Sequence, residues 1–266
     1  MRLLVAGGDR VDAGKTTFAV GLAARLDDPL AVKPRAGNDL WFDHDDAVRA
    51  LSAGRLYGKD AARLAAATDA DGPEAINAVH RLWRPTPGRT GMLGETDRTF
   101  LADRVATGDG DRVVVNDRVD LPGAVRDLAD DPVRVDDVAA FNDAMADWHL
   151  DALSRLGERV RTADRPVIVE SYADVADPLR APTYDAVAVV EPGRCRVYDG
   201  RRWEIAREAA GDRADGRLEQ RVAGVTDGLE PLSTHDLRPL SSEARTNPAA
   251  VADANHDAYD GLLAAV

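Results

Sequence analysis

Apolar residues in this chain gather in short unbroken runs, separated by helical stretches rich in alanine and leucine. The first run, Leu3-Leu4-Val5-Ala6, breaks into Gly7-Gly8; past Gly14-Lys15-Thr16-Thr17 the stretch 18–26 reads as helix. Continuous runs of that length predict strands buried on both faces, whereas a strand exposed on one face would alternate. Pro29-Leu30-Ala31-Val32 predicts a second strand ending at Lys33-Pro34, and helices are expected at about 44–53, 58–68 and 73–82. Residues 84–96 are punctuated by proline and glycine and read as a loop, either a substrate lid presenting Arg89-Thr90 or a surface connection.

Further on, Arg112-Val113-Val114-Val115 predicts a short strand. Val138, Phe141, Met145, Trp148, Ala152, Leu156 and Val160 share one face of a long amphipathic helix over 136–161. Pro166-Val167-Ile168-Val169-Glu170 and residues 184–190 are further buried strands, and 222–225 is a weaker one. A last helix over 248–264 opens at Asn247-Pro248, with proline in its first turn. Strands alternating with helices predict an α/β fold, a mainly parallel central sheet covered by helices on both faces. At 266 residues one domain spanning 1–266 is the expectation.

The segment between the first strand and the first helix bears the chemistry. Glycines let backbone N–H groups turn inward around an anion, and a helix N-terminus adds its positive end. Gly8, Ala13, Gly14, Lys15, Thr16 and Thr17 are therefore the candidate phosphate-binding residues. Lys15 supplies a full charge to terminal phosphates, and the Thr16 hydroxyl is a candidate Mg²⁺ ligand. Five residues separate Gly8 from Gly14, one more than in the common phosphate-loop pattern.

With that longer spacing, Gly8-Asp9-Arg10-Val11-Asp12-Ala13-Gly14-Lys15-Thr16 resembles the Gly-Thr-x-Thr-Asp/Glu-Val-Gly-Lys-Thr loop of dethiobiotin synthetase. Asp12 matches the acidic position, which implies it as a further nucleotide-binding residue, while Asp9 and Val11 stand where that loop has threonines. Val32-Lys33-Pro34-Arg35-Ala36-Gly37 is similar to the family's Lys-Pro-x-x-x-Gly segment, which implies that Lys33 meets the phosphate and a substrate carboxyl. Val169-Glu170-Ser171 resembles the family's Val-Glu-Gly segment and implies Glu170 as a metal ligand, with Ser171-Tyr172-Ala173-Asp174 in place of glycines. Asn38-Asp39-Leu40-Trp41-Phe42-Asp43 resembles the Gly-Pro-Asp-Tyr-Ile-Asp segment of the related cobyrinate diamide synthetases. Asp39 or Asp43 is accordingly the candidate for a second Mg²⁺ ligand, or part of a solvated acidic turn. These likenesses cover the first 45 residues and 166–178, and they imply a three-layer phosphate-loop NTPase fold with ATP and Mg²⁺ as cofactors.

Composition adjusts this picture. The formal net charge is −13 and the sequence pI is near 4.8. Arginine nearly replaces lysine, which occurs only at Lys15, Lys33 and Lys59, a composition similar to that of haloarchaeal proteins. Such acidity suits a salt-rich cytosol and argues against a nucleic-acid partner, which needs a basic face. Cys195 is alone and the five histidines are scattered, so neither a disulfide framework nor a thiolate or histidine metal site is expected. The short apolar start does not read as a signal peptide and no run reaches membrane-span length, so a soluble cytoplasmic protein is expected.

No Asn-Lys-x-Asp run for reading guanine occurs, which leaves ATP as the expected nucleotide. The leading expectation is an ATP- and Mg²⁺-dependent enzyme, with Lys15 and Lys33 as catalytic residues, that phosphorylates or activates a small substrate. The alternative is a nucleotide-hydrolysing switch working as a homodimer. An enzyme requires a closed pocket facing the γ-phosphate, a switch an exposed flat face there.

Overall fold

The computed structural model describes residues 1–8, 13–179, 183–210 and 219–266. In chain order they form β1 (Arg2–Gly7), α1 (Lys15–Ala23), β2 (Leu30–Val32), β3 (Arg35–Asp39), α2 (His44–Ser52), α3 (Lys59–Ala66), α4 (Pro73–Ile76), β4 (Val79–Thr90), β5 (Thr96–Thr107) and β6 (Gly110–Asn116). Next come α5 (Gly123–Arg126), β7 (Val133–Val135), α6 (Val138–Ala144), a π-turn (Met145–His149), α7 (Leu150–Thr162), β8 (Val167–Glu170), β9 (Ala186–Glu191) and β10 (Arg194–Asp199). The chain closes with α8 (Gly200–Ala209), α9 (Val222–Thr226), β11 (Ser233–Asp236), α10 (Ser242–Thr246), α11 (Pro248–Ala254) and α12 (His256–Leu263).

The protein is α/β, with two mixed sheets rather than the one central sheet expected. Each sheet belongs to one of two compact units: Met1–Pro34 with Arg63–Ala70 and Gly157–Val266, and Arg35–Ala62 with Asp71–Leu156. In the first unit the strand order is β11-β10-β9-β1-β8-β2. The pairs β2–β8, β8–β1 and β1–β9 are parallel, while β9–β10 and β10–β11 are antiparallel. Leu3 to Ala6, Val167 to Val169 and Ala186 to Val190 are all wholly buried, as continuous apolar runs in a covered parallel sheet must be. The register sets Val5 opposite Glu170 and Val32 opposite Val169, so the carboxyl ends of β1, β8 and β2 finish together. Behind β1, α1 packs against α11, and the Phe18 and Tyr259 rings lie 4.6 Å apart.

The second unit holds the order β3-β4-β5-β6-β7, with a long β4–β5 hairpin. Its core joins Leu51, Leu56, Leu82, Leu101, Val115 and Leu121. Here the sequence reading is corrected. The expected helix over 73–82 stops at Ile76, and the expected loop over 84–96 is the second half of β4, the turn 91–95 and the first residue of β5. Pro85 and Pro87 disguise the strand because proline cannot donate to a ladder; the pairing is irregular between Pro85 and Thr90, where a proline-bearing strand is tolerated. β5 is disguised differently: its buried positions include Asp103 and Arg104, whose charges break the apolar pattern.

Residues 222–225 form a helical turn, α9, instead of the expected strand; Val222 and Val225 are buried three residues apart. The expected helix 248–264 is two helices parted at Asn255, whose side-chain amide donates to the Val251 carbonyl. The long helix 136–161 is present, but its π-turn widens one turn by a residue. The buried face moves on to His149 at that turn; Val138, at the helix start and ahead of it, is exposed. Among the described residues no helix is long and apolar enough to cross a membrane.

Candidate functional site

The site is built in the first unit, at the carboxyl ends of β1, β8 and β2, the end of an open α/β sheet where ligands gather. Gly8 follows β1 and donates its N–H to the Val190 carbonyl at 3.0 Å. Asp12, a candidate from the sequence, lies outside the described residues. Ala13 is buried, and Gly14 enters α1 with φ +84°, a left-handed conformation that only glycine adopts without steric cost. As N-cap, Gly14 brings no side-chain acceptor to the first turn of α1. The amides of Lys15, Thr16 and Thr17 have no intrahelical partner, as at any helix start, and they point out of the helix at its positive end.

Three sequence candidates meet at one carboxylate. Glu170, the last residue of β8, is wholly buried. Its Oε1 accepts the Thr16 hydroxyl at 2.5 Å and also a hydrogen bond from the Lys33 ammonium. Thr16 and Lys33 are themselves 8% and 5% exposed. Lys33 reaches Glu170 because β2 lies directly beside β8. The other oxygen, Oε2, is buried with no hydrogen-bond partner among the described residues. A buried carboxylate oxygen left unmatched is costly, and a cation is the partner that satisfies it best. Lys15, 8% exposed, stands in the same first turn of α1.

Mg²⁺ is tested against these donors directly. It takes oxygen ligands, retains several waters and needs only one or two protein groups beside substrate phosphates. The Thr16 hydroxyl and Glu170 Oε2 are two such oxygens within one buried cluster, so the residues fit. Among the described residues no group of three His, Cys, Asp or Glu side chains is placed to hold a metal unaided.

Asp39 belongs to the second unit. There its Oδ1 accepts from the Trp41 and Phe42 amides at 2.8 and 3.3 Å, and it fixes the turn that follows β3. Asp43 accepts from the Asp39 amide and from Lys59. Both carboxylates are thus engaged in the acidic turn that the sequence offered as the other reading.

The chain after Glu170, where the resemblance has glycines, is stitched down. Ser171 is buried and donates to the Val175 carbonyl at 2.6 Å, Tyr172 donates to Glu219, and Arg221 pairs with Asp174 at 2.5 Å. Ala173 adopts φ +46° within this turn. One contact gave no signal in the sequence: Arg63 of α3 donates to the Thr17 hydroxyl at 3.4 Å. Nothing in the amphipathic pattern of 58–68 marks Arg63 from other helical arginines. Cys195 is wholly buried, and that burial pushes its thiol up to about 12 despite the opposing charge of Arg196, so it is no nucleophile at neutral pH. Comparison with protein-family models, with curated proteins and with solved structures yields no match.

Proposed function

We propose that this chain is an ATP- and Mg²⁺-dependent enzyme that phosphorylates or activates a small substrate at the N-terminal end of α1. The observation that supports this most is the meeting of Thr16 and Lys33 on Glu170, whose second oxygen is buried and unmatched. In this reading β2, β8, β1 and β9 are the parallel core of a three-layer phosphate-loop fold of the dethiobiotin synthetase kind.

Each residue then has a distinct task. The first-turn amides of α1 and the Lys15 ammonium hold phosphate oxygens. Thr16 and Glu170 hold Mg²⁺, which when bound neutralises charge on the outer phosphates. Glu170 also fixes the Lys33 ammonium in advance, so the charge is in position before transfer begins and needs no reorganisation during it. A lysine so held at the sheet's carboxyl end suits a carboxyl-bearing substrate, whose negative charge it would meet.

The test is a screen of small carboxylates for those that accelerate ATP turnover, repeated with Lys33→Ala. An interaction made chiefly in the transition state lowers kcat by about a hundredfold or more when removed, with little loss of ATP affinity. A loss of ATP affinity with kcat unchanged would reduce Lys33 to a ground-state contact. Absence of ATP binding by the wild-type chain would end the proposal.

A further inference from the structure

We propose that Arg63 is a phosphate contact of the same site, approaching the first turn of α1 from a different direction than Lys33 and gripping the inner phosphates of a nucleoside di- or triphosphate. The inference rests on the nucleotide reading above. Its origin is the geometry of two neighbouring threonines. Successive residues of an α-helix are about 100° apart around the axis. Thr16 turns its hydroxyl to Glu170, beside Lys33, whereas the Thr17 hydroxyl meets Nη2 of Arg63 at 3.4 Å. Cationic groups therefore approach the start of α1 from two directions.

Lys33 has the Glu170 carboxylate beside it, but the Arg63 side of that arrangement is unfavourable without an anion. The start of a helix is its positive end, and a cation set there is repelled. Both acceptors of the half-buried Arg63 among the described residues are neutral oxygens, the Thr17 hydroxyl and, at 2.8 Å, the Arg245 carbonyl. Both bonds come from Nη2, which leaves Nε–H and both Nη1 N–H groups unused by them; a phosphate oxygen that took the place of the long 3.4 Å contact to Thr17 would complete a fork with one of them. A guanidinium fork matches two phosphate oxygens. The unmatched Oε2 of Glu170 is a second, independent sign of an absent charged ligand beside this turn. The outer phosphate belongs beside Lys33 and Glu170 in the nucleotide reading, which leaves the inner phosphates to Arg63.

A purely structural role is the competing account: Arg63 would cap the carbonyl near the end of α10. That explains the bond to Arg245 but not the approach to Thr17. Titration calorimetry of ADP and of ATP, each with Mg²⁺, into the full chain and Arg63→Met separates the two. The expected result is a loss of about tenfold or more, equal for ADP and ATP, as befits one charge-assisted contact to a phosphate that both possess.

Arg63→Lys keeps the charge but loses the fork. It is expected to lose several-fold for both nucleotides, and it decides the matter if Arg63→Met does not fold. Wild-type ADP affinity in the variants, with only the nucleotide-free melting temperature lowered, overturns the Arg63 contact and leaves the nucleotide reading intact. A wild-type chain that binds neither nucleotide overturns both.

Discussion

Replacing Gly21 with alanine sets two opposed effects against each other in the middle of α1. Alanine is the better helix former, by about 1 kcal/mol. An alanine Cβ at this position, however, would lie 2.3 Å from the Tyr259 hydroxyl and 2.6 Å from Cγ1 of Val251. Both neighbours are wholly buried, and the Tyr259 hydroxyl donates to the Phe18 carbonyl at 3.1 Å. Overpacking of this kind costs about 1–3 kcal/mol, and displacing the hydroxyl from the Phe18 carbonyl costs about 1 kcal/mol more. The net expectation for Gly21→Ala is a destabilisation of about 1–3 kcal/mol. In thermal denaturation followed by circular dichroism this reads as a fall of several degrees. Tyr259→Phe, which removes the atom in closest conflict, should recover part of the loss when added to Gly21→Ala. A Gly21→Ala protein as stable as wild type, or more so, would refute the claim that α11 and α12 brace α1 through this contact.

In the second unit, burial would raise the Asp103 carboxyl, but the charge and paired hydrogen bonds of Arg81, with a further bond to His149, bring it down to about 2. A folded-state value below the unfolded one makes this stabilisation complete above about pH 4 and lost as pH falls toward 2, a contribution of about 2 kcal/mol. Asp103→Asn should therefore flatten the acid limb of stability against pH. It should also cost about 3–5 kcal/mol at neutral pH, because Arg81 loses its buried counter-charge; urea denaturation at pH 3 and pH 7 measures both. Low salt is expected to destabilise a chain of net charge −13, since screening weakens from about 3 Å at 1 M salt to about 10 Å at 0.1 M. A melting temperature that holds or rises as KCl is diluted over that range would contradict the halophilic reading.

The buried strands of the first unit were legible because they are covered on both faces and so appear as plain apolar runs; β1, β8 and β9 stand almost where those runs do. The site residues Thr16, Lys33 and Glu170 were legible for a related reason, since each follows such a run or the glycines after it. What the sequence hid was most of the second sheet, of which only the apolar run in β6 stood out. Its hairpin carries Pro85, Pro87 and two paired charges in its interior, each of which reads locally as loop or surface. The pairing that rescues Asp103 comes from Arg81 and His149, 22 and 46 residues away, beyond the reach of any local pattern. β10 carries the alternation of a half-buried strand, Arg194 and Arg196 against the buried Cys195 and Val197, but over too few residues to stand out as the unbroken apolar runs do. Arg63 was invisible for a simpler reason: its partner, Thr17, lies on another element.

The claim on which the rest depends is that the start of α1 holds the phosphates of ATP through Lys15. Isothermal titration of Mg-ATP into the wild-type chain and into Lys15→Ala tests it most directly. The account predicts saturable binding at one site in the wild type and its loss in Lys15→Ala, with the circular dichroism spectrum unchanged. Equal affinity in the two proteins, or no binding heat in the wild type, would contradict it.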